Sequence, residues 1–391
     1  MTYWSSTVKN KDRYSGHVSN GGILVVGAGF AGLSVALELS EHNDDIKVIC
    51  TNNHSFDKNA GHVIPTMGES LAATIDIKGE KTALDLQSHA FKCTDAIVKW
   101  CAANEHTVLD RGYFVIPSDH NELKSLQKSK QIYNSKFDNM ELYDVTRMAL
   151  TPNFKDIRSL YMPTGWFGNP SMFRNSLADR CREQGVTISK HLPVVNVVAT
   201  GSGVKVTYSD GTTSEHDAVV LCNNAFPLDS QKMYTDQFVG QIVVSHPITS
   251  KRLTPMAFSA DHGYIYGQIT VDNRLLIGGW RNNVKDDGSL DVINNDITRG
   301  LQTFVDDNFN VKVDLINADY EWRGAMAQTT DGLPIVGEID TGIFASTGWN
   351  GYGFSQAHYT SRCLAKMIMD EPLDENSKQV IMKYFNPKRF R

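Results

Sequence analysis

The sequence is poor in cysteine, and the cysteines it has follow no metal-binding pattern. Its 391 residues contain six cysteines with no C-x-x-C pair among them: Cys50, Cys93, Cys101, Cys181, Cys222 and Cys363. Secreted domains held by disulfides and Cys-rich zinc modules have closely spaced cysteines, so both classes are disfavoured. We therefore expect reduced thiols, a cytoplasmic location and no bound metal.

Long apolar runs and blocks of basic residues are also missing. Residues 1–20 are polar, so we expect no signal peptide or membrane span, and we interpret residues 1–19 as a flexible lead-in. The formal net charge of -6 argues against a nucleic acid or an anionic membrane as a partner.

The most informative stretch is a glycine-rich turn near the N-terminus. A buried-strand pattern at Ile23–Val26 enters the turn GAGFAG, an apolar helical pattern leaves it, and a second strand follows at Ile46–Cys50. This β-α-β unit has glycines at the three fixed positions of G-x-G-x-x-G, namely Gly27, Gly29 and Gly32. The pattern predicts a dinucleotide site in which the helix N-terminus faces the pyrophosphate.

This fingerprint lacks one expected residue. An acidic side chain usually closes the second strand and binds the adenosine ribose, whereas Cys50 and Thr51 stand there. Either the ribose is held differently, through Thr51 or Asn52, or the site is weaker than the glycines indicate. A glycine-rich turn in some other α/β protein is the plain alternative.

The rest of the chain contains two kinds of strand pattern. A continuous apolar run at 217–226 is typical of a strand in the middle of a parallel sheet. Between residues 238 and 322 the strands alternate apolar and polar residues, which predicts a separate, largely antiparallel layer. Helices are predicted by periodicity and capping residues at 82–103, within 165–185, at 291–308 and at 356–369.

Taken in order, these segments resemble the D-amino-acid oxidase superfamily. The shared features are the GAGFAG unit, the apolar strand at 217–226, and DGLPIVG (331–337) followed by a strand and TGWNGYGFS (347–355). Members are FAD-dependent amine and amino-acid oxidases and dehydrogenases, among them glycine oxidase, sarcosine oxidase and gamma-glutamylputrescine oxidase. The resemblance implies an α/β fold in which a Rossmann-type FAD-binding domain carries an inserted, largely antiparallel β substrate domain.

The resemblance also implies domain boundaries and the mode of FAD binding. It assigns residues 20–105, 160–235 and 330–391 to a discontinuous FAD-binding domain, and residues 106–159 and 236–329 to the substrate domain. Non-covalent FAD is implied, because the cysteine that carries the flavin in some members would fall near Gly324. His62 is close to where some relatives have a flavin-linked histidine, but its Ala-Gly-His-Val context fits a non-covalent loop better.

Two departures from the family pattern bear on the site. The apolar strand ends Cys222-Asn223-Asn224, where the family often has Ala-Thr-Gly. Glycine oxidase-like members carry a carboxylate-binding arginine at the place of Met326. Residues 272–279 and 320–324 look nearer to the polyamine-type oxidases.

The residues expected at the cofactor include the glycine turn and the ribose candidates. They are Gly27, Ala28, Gly29, Phe30, Ala31, Gly32, Thr51, Asn52, Ala60, Gly61, His62, Val194, Val195, Cys222, Asn223, Gly324, Gly348, Trp349, Asn350, Gly351, Tyr352, Gly353 and Phe354.

Amine oxidation by such an enzyme moves the equivalent of a hydride from the C–H next to nitrogen to the flavin. The protein needs aromatic walls and a polar anchor, and it needs no side-chain nucleophile. The catalytic candidates are His62, Tyr264, Tyr266, Arg281, Trp322 and Trp349, with Trp280 and Arg323 as further possibilities. Core packing is the alternative for the aromatic rings, a surface carboxylate for the arginines, and a solvent-facing position for His62.

The leading hypothesis is an FAD-dependent oxidoreductase acting on a small-molecule amine, with oxygen or another electron acceptor. A flavin-dependent monooxygenase would share the first β-α-β unit but carry a different late glycine segment. The Cys50 and Cys222-Asn223-Asn224 departures motivate a third hypothesis, a flavin-binding protein whose catalytic site has decayed. A nicotinamide-dependent dehydrogenase ranks last, because it would leave the glycine loop at 347–355 unexplained.

Overall fold

Residues 1–8, 14, 18–43, 45–51, 56–104, 109–137, 147–228, 234–285 and 288–390 are described by the computed structural model. The helices are α1 Tyr3–Ser6, α2 Phe30–Leu39, α3 Leu71–Lys78, α4 Glu80–Ala103, α5 His120–Lys136, α6 Pro170–Glu183, α7 Asn295–Asn308, α8 Gly353–Ile368 and α9 Glu375–Gln379. The strands are β1 Ile23–Val26, β2 Ile46–Cys50, β3 His62–Val63, β4 Leu109–Val115, β5 Arg147–Leu150, β6 Arg158–Gly168, β7 Thr187–Lys190, β8 Val194–Thr200, β9 Gly203–Tyr208, β10 Thr213–His216, β11 Ala218–Leu221, β12 Thr235–Val244, β13 Ala257–Ala260, β14 Ile265–Ile269, β15 Leu275–Gly279, β16 Tyr320–Thr329, β17 Ile335–Asp340 and β18 Ile343–Thr347.

The first sheet contains the predicted β-α-β unit. Its six strands run in the order β17-β18-β11-β1-β2-β7. Strand β1 pairs in parallel with both β2 and β11, and β11 pairs in parallel with β18. The apolar run at 217–226 therefore forms a central strand, as predicted. Because parallel strands end at the same edge of a sheet, the turns after β1, β11 and β18 meet there and form a crevice.

Both faces of this sheet are covered, which explains why its strands are apolar throughout. On one face, helices α2, α4, α6 and α8 close a core that includes Val25, Leu33 and Phe173. On the other face, Leu24 and Val219 belong to a core shared with the three-stranded sheet β10-β9-β8. Successive residues of β1 thus point into different cores.

The second sheet is the predicted, largely antiparallel layer. It has nine strands. Eight follow the order β16-β12-β15-β14-β13-β4-β6-β3, and the ninth, β5, pairs with β6. Helix α7 covers one face, in a core that includes Val243 and Leu301. The register of β12, β14, β15 and β16 places Phe238, Tyr266 and Met326 together on the opposite face. That face remains available for a ligand-binding site.

The first residues differ from the flexible lead-in that the sequence predicts. Tyr3–Ser6 form a short helix, and only 4% of Tyr3 and 3% of Trp4 is exposed. Both rings belong to a core cluster with Ile242 and Trp322 of the second sheet. The prediction was wrong for this segment, because its two aromatic side chains pack against apolar residues that are distant in sequence.

The domain boundaries inferred from the resemblance stay predictions. Strands β3 and β6 pair within the second sheet, although most of their residues fall in ranges assigned above to the FAD-binding domain. The strands β3 and β6 therefore carry the chain from one sheet to the other, as the loops do.

All six cysteines are buried, and none of them forms a disulfide. Within the ranges described, no helix is both long and apolar enough to cross a lipid bilayer. The same ranges contain no group of three or more His, Cys, Asp or Glu side chains arranged to hold a metal ion.

Two histidines are fully buried among the helices of the first sheet. The Nε2 atom of His89 lies 2.9 Å from Thr360 Oγ1, and Nδ1 of His358 lies 2.8 Å from Ser34 Oγ. Burial away from water disfavours the charged imidazolium. It lowers the pKa of each histidine from 6.5 to about 3.

We expect these histidines to make the protein sensitive to acid. Because their pKa is lower in the folded chain, the unfolded chain binds protons that the folded chain rejects. Stability is therefore complete above about pH 6.5 and falls below it by about 1.4 kcal/mol per histidine per pH unit. Together these two histidines should contribute about 3 kcal/mol to the loss of stability that urea unfolding of the apoprotein shows between about pH 7.5 and pH 5.5. The double variant His89→Gln, His358→Asn should lose much less, and an unchanged pH dependence would count against this explanation.

Candidate active site

The turn after β1 is so tight that two of its glycines cannot carry a side chain. Gly27 has φ +117°, and a Cβ there would lie 2.5 Å from the Cys222 carbonyl oxygen. A Cβ on Gly32 would lie 1.8 Å from the Gly27 carbonyl oxygen. Since both contacts are with backbone, these glycines are what lets β1, β11 and α2 pack closely.

Gly29 serves a different purpose, because it leaves space open. It is the N-cap of α2 with φ -85°, which any residue adopts, and no atom lies within 4 Å of a Cβ built there. No side chain caps α2, so the N–H groups of its first turn are directed toward this space. An open helix N-terminus of this kind binds phosphate groups. The turn therefore fits a dinucleotide.

A buried arginine beside the turn was missed by the sequence prediction. Arg174 on α6 is 1% exposed, and its Nε donates a 3.0 Å hydrogen bond to the Ala28 carbonyl. Its guanidinium also lies 4.9 Å from the centre of the Phe56 ring. The arginine fixes the turn and adds positive charge beside it. The sequence did contain one sign of a buried arginine, because Arg174 lies on the same helical stripe as the apolar residues Phe173 and Leu177.

The end of β2 presents no carboxylate for a ribose. Cys50 is buried, and its Sγ lies 3.7 Å from a backbone carbonyl of β7. Thr51 is half-buried, and Asn52 lies outside the described residues. Val194 is half-buried and Val195 is exposed at the start of β8. A role for Thr51, Asn52, Val194 and Val195 at the adenosine stays a prediction.

The segment at residues 58–62 leads from the first sheet into the second. Gly61 has φ +77°, and a Cβ there would lie 2.2 Å from the Gly168 carbonyl oxygen. The Ala60 carbonyl accepts a hydrogen bond from Gln268 Nε2 on β14. Only glycine allows so close an approach in this conformation, and the segment is therefore held against the second sheet.

His62 ends this segment on the same face of the second sheet as Tyr266. Its Nε2 lies 3.0 Å from the Gly267 carbonyl oxygen, and a carbonyl can only accept, so Nε2 carries the proton. Burial lowers the pKa of His62 to about 4, and the ring is therefore neutral at physiological pH. The ring centres of His62 and Tyr266 are 6.4 Å apart. A flavin contact by His62 stays a prediction.

Arg281 lies between two aromatic rings at the edge of this face. Its guanidinium carbon is 4.5 Å from the centre of the Phe238 ring and 5.0 Å from that of Tyr264. Tyr266 is close enough for the charge of Arg281 to lower its pKa, although burial prevails and raises it to about 12. No acidic side chain pairs with Arg281 in the part of the chain that the structure describes. Three predicted site residues are thus brought together.

A constrained turn directs Arg281 to this place. Gly279 has φ +117°, and a Cβ there would lie 1.8 Å from the Tyr264 carbonyl oxygen. Trp280 has φ +64°, which costs a bulky residue roughly 1–3 kcal/mol. Its ring packs on Gly300 of α7, where a Cβ would meet Trp280 Nε1 at 2.0 Å. Trp280 therefore packs away from the candidate site. The backbone strain lies at Trp280, in the turn directly before Arg281.

Glycines also shape the face itself. A Cβ on Gly240 would lie 2.7 Å from Met326 Cε and 3.1 Å from Tyr266 Oη. Met326 pairs across the strands with Phe238. Gly240 thus makes room for the side chains of Met326 and Tyr266.

The late glycine loop meets the second sheet at Met326. Asn350 donates from its backbone N–H to the Ala327 carbonyl at 2.9 Å. A Cβ on Gly351 would lie 3.7 Å from Met326 Sδ. Gly348 and Gly351 have φ +72° and +88°, so the loop needs glycine at both places. The loop before α8 therefore joins the first sheet to the face that carries Tyr266.

Other predicted residues lie in supporting positions. Trp322 is buried, and its indole N–H donates to the Lys58 carbonyl at 3.1 Å. A Cβ on Gly324 would lie 2.9 Å from the Cβ of Lys58. Arg323 and Trp349 are also buried, Trp349 in the core of the first sheet. Direct contact of these residues with a substrate or cofactor stays a prediction.

The remaining candidates lie at the crevice or directly beneath it. Phe30 and Ala31 are buried at the start of α2, and Phe30 stacks on Phe354 with ring centres 4.9 Å apart. Cys222 is buried, which raises the pKa of its thiol. Asn223 donates from Nδ2 to a nearby backbone carbonyl at 2.8 Å. Tyr352 and Gly353 begin α8, and burial raises the pKa of Tyr352 to about 12.

Comparison with known proteins agrees with this geometry. Residues 22–367 match a family model, DAO, described as "FAD dependent oxidoreductase". The chain is 23% identical over 377 residues to the probable oxidoreductase OrdL of Haemophilus influenzae, covering 90% of this chain and 84% of that protein. It is 24% identical over 371 residues to gamma-glutamylputrescine oxidoreductase of Escherichia coli, covering 88% and 83%.

A solved structure shows the same fold. The L-proline dehydrogenase of P. horikoshii matches with a TM-score of 0.75 at 16% sequence identity, covering 96% of this chain and 98% of that one.

Proposed function

Because the chain belongs to the DAO family of FAD dependent oxidoreductases, we propose that it oxidises a C–N bond in a small-molecule amine or amino acid. FAD is the cofactor of this family, and the open turn at Gly29 fits its pyrophosphate. We propose that FAD is bound non-covalently. The names of one relative and one structural neighbour, gamma-glutamylputrescine oxidoreductase and L-proline dehydrogenase, support a nitrogen-containing substrate.

One observation carries the proposal, and it is the convergence of three segments on one crevice. The glycine turn opens at Gly29, the late glycine loop reaches Met326, and Tyr266 and Arg281 lie on the same face as Met326. A site bounded in this way can hold a long dinucleotide at one end and a small molecule at the other.

The chain's own residues would dock the amine and exclude water. FAD, when bound, supplies the acceptor for the hydride equivalent. Phe238, Tyr264 and Tyr266 offer aromatic surface for the substrate's carbon atoms. The raised pKa of Tyr266 keeps its hydroxyl protonated, so it can donate a hydrogen bond or accept one. His62 is neutral and adds no charge beside the amine.

Arg281 supports a substrate that carries an anionic group. Its fork of N–H donors matches a carboxylate, and no acidic side chain of the described chain occupies it. A nearby cation also disfavours the ammonium form of the substrate, so the amine would bind in the unprotonated form that can lose a hydride. We therefore propose an acidic amine with its anionic group at Arg281.

The proposal includes the domain division and location given by the resemblance. Residues 20–105, 160–235 and 330–391 would bind FAD, while residues 106–159 and 236–329 would bind the substrate. The lack of a disulfide among the six cysteines supports a reducing, cytoplasmic location.

Anaerobic reduction of the bound flavin tests the proposed function. The purified FAD-loaded protein is mixed with primary, secondary and N-methyl amines, each with and without a carboxylate. We expect an acidic amine to bleach the flavin absorption, and its 2-hydroxy acid analogue to leave it unchanged. Admission of oxygen then separates an oxidase from a dehydrogenase by the rate of recolouring. Rapid bleaching by the hydroxy acid, with every amine inactive, would overturn the proposal.

A further inference from the structure

The N-terminal helix lies against the segment that leads to His62. Trp4 is 3% exposed, and its indole N–H donates to the Asn59 carbonyl at 2.8 Å. Its Cζ2 would lie 3.2 Å from a Cβ on Gly61. Beside it, Thr2 Oγ1 donates to Asp57 Oδ2 at 3.1 Å. The first residues of the chain thus contact the segment at several points.

Trp4 completes a row of three side-chain donors. The carbonyls of residues 58, 59 and 60 accept hydrogen bonds in turn from Trp322 Nε1, Trp4 Nε1 and Gln268 Nε2. Trp322 and Gln268 belong to strands of the second sheet, whereas Trp4 comes from the terminus. Three consecutive carbonyls that each accept a side-chain hydrogen bond fix the path of the backbone into Gly61 and His62.

The other end of the helix is tied to α6 and to the second sheet. Asn169 donates from Nδ2 to Thr7 Oγ1 at 2.7 Å, and its Oδ1 caps α6. Helix α6 carries Arg174, which holds the Ala28 carbonyl in the glycine turn. Tyr3 donates from Oη to Asp272 at 2.6 Å on the second sheet. Residues 2–7 therefore contact both α6, which packs on the first sheet, and the second sheet.

We propose that residues 2–7 form a clasp that holds the FAD-binding segments in place, and that Trp4 is a positioning residue for the segment at 58–62. The inference rests on FAD binding and is independent of which substrate is oxidised. A cofactor site built from segments far apart in the chain needs ties between them, because each segment alone gains little from packing. The clasp supplies those ties through the backbone carbonyl of residue 59 and through Asn169.

The affinity for FAD tests the clasp with two variants of the same helix. Trp4→Phe keeps a ring but removes the donor to the Asn59 carbonyl. Tyr3→Phe removes the donor to Asp272 and leaves the segment at 58–62 untouched. We expect the FAD dissociation constant to rise about fivefold in Trp4→Phe and by a smaller factor in Tyr3→Phe, which keeps the tie to the segment at 58–62. A wild-type dissociation constant in Trp4→Phe would overturn the proposal.

Hydrogen–deuterium exchange of the apoprotein provides a second readout. Peptides covering residues 57–63 should exchange faster in Trp4→Phe than in Tyr3→Phe, because the tie to residue 59 is lost. Should Trp4→Phe fail to fold, Thr2→Val and Thr2→Ser form a matched pair, since serine keeps the hydroxyl that binds Asp57. We then expect Thr2→Val to weaken FAD binding and Thr2→Ser to preserve it. If the two variants of either pair show identical exchange and identical affinity, the helix contributes only ordinary core packing, and the proposal is overturned.

Discussion

Replacing Gly29 with valine should leave the apoprotein folded and weaken FAD binding at least about 100-fold. The backbone at Gly29 is extended, with φ -85° and ψ -166°, and a Cβ there meets no atom within 4 Å. The fold therefore loses little, since neither strain nor a clash opposes the side chain. The valine methyl groups would instead occupy the space through which phosphates approach the N–H groups of α2. Titration of the apoprotein with FAD, followed by flavin fluorescence, measures the loss.

Gly32→Ala is the matched control for this experiment. Its Cβ would lie 1.8 Å from the Gly27 carbonyl oxygen, so the backbone itself must shift. We expect this smaller substitution to destabilise the apoprotein by about 3 kcal/mol in urea unfolding, an effect of overpacking that is absent from Gly29→Val. Wild-type FAD affinity in Gly29→Val would show that the phosphates bind elsewhere.

Replacing Arg281 with glutamine should raise KM for an acidic amine about 100-fold, because a desolvated carboxylate loses its charged partner. The rings of Phe238 and Tyr264 already screen the guanidinium from water, which strengthens its interaction with an anion. For a neutral amine of similar size, KM should change only a few-fold. That change reflects the loss of the cation–π contacts between Arg281 and the two rings. Steady-state kinetics on the two substrates give both values.

Arg299→Gln controls for a general effect of lost charge. Arg299 is an exposed residue of α7 whose guanidinium pairs with Asp296 at 2.8 Å, away from the site. We expect KM for both substrates to stay at the wild-type value in this variant. If Arg281→Gln impairs neutral and acidic amines equally, the arginine supports the fold of the site and does not anchor the substrate.

The sequence predicted the first sheet well because its signals are local. A run of apolar residues, three glycines and a helical stripe lie within one β-α-β unit, and β1, α2 and β2 occur where the pattern placed them. The N-cap Asn169 and the first-turn Pro170 of α6 were likewise readable from neighbouring residues. Such features depend on interactions between residues close in sequence.

The missed features depend on contacts between residues that are distant in sequence. A four-residue helix at Tyr3–Ser6 has no periodicity, and its burial depends on Ile242 and Trp322. Arg174 was overlooked because charged residues are usually exposed, whereas its Nε bonds the Ala28 carbonyl. No residue pattern indicates that Trp280 adopts φ +64°, and without that turn the position of Arg281 could not be derived.

The candidate site was predicted in part for the same reason. Tyr264, Tyr266 and Arg281 were candidates from the sequence, and the register of the second sheet places Met326 on the same face as Tyr266. Trp322 lies on that face too, in a cluster with Ile242 and Tyr266, but strand alternation does not show whether a ring lines a pocket or packs in the core. In the fold its indole N–H supports the backbone of residue 58.

A crystal structure of the FAD complex tests the central claim most directly. We predict a pyrophosphate against the N–H groups at Gly29 and Phe30, and a flavin ring between the glycine loop at 348–353 and the sheet face that bears Tyr266. Electron density for FAD away from the glycine turn, or a flavin ring that faces away from Tyr266, would contradict the account.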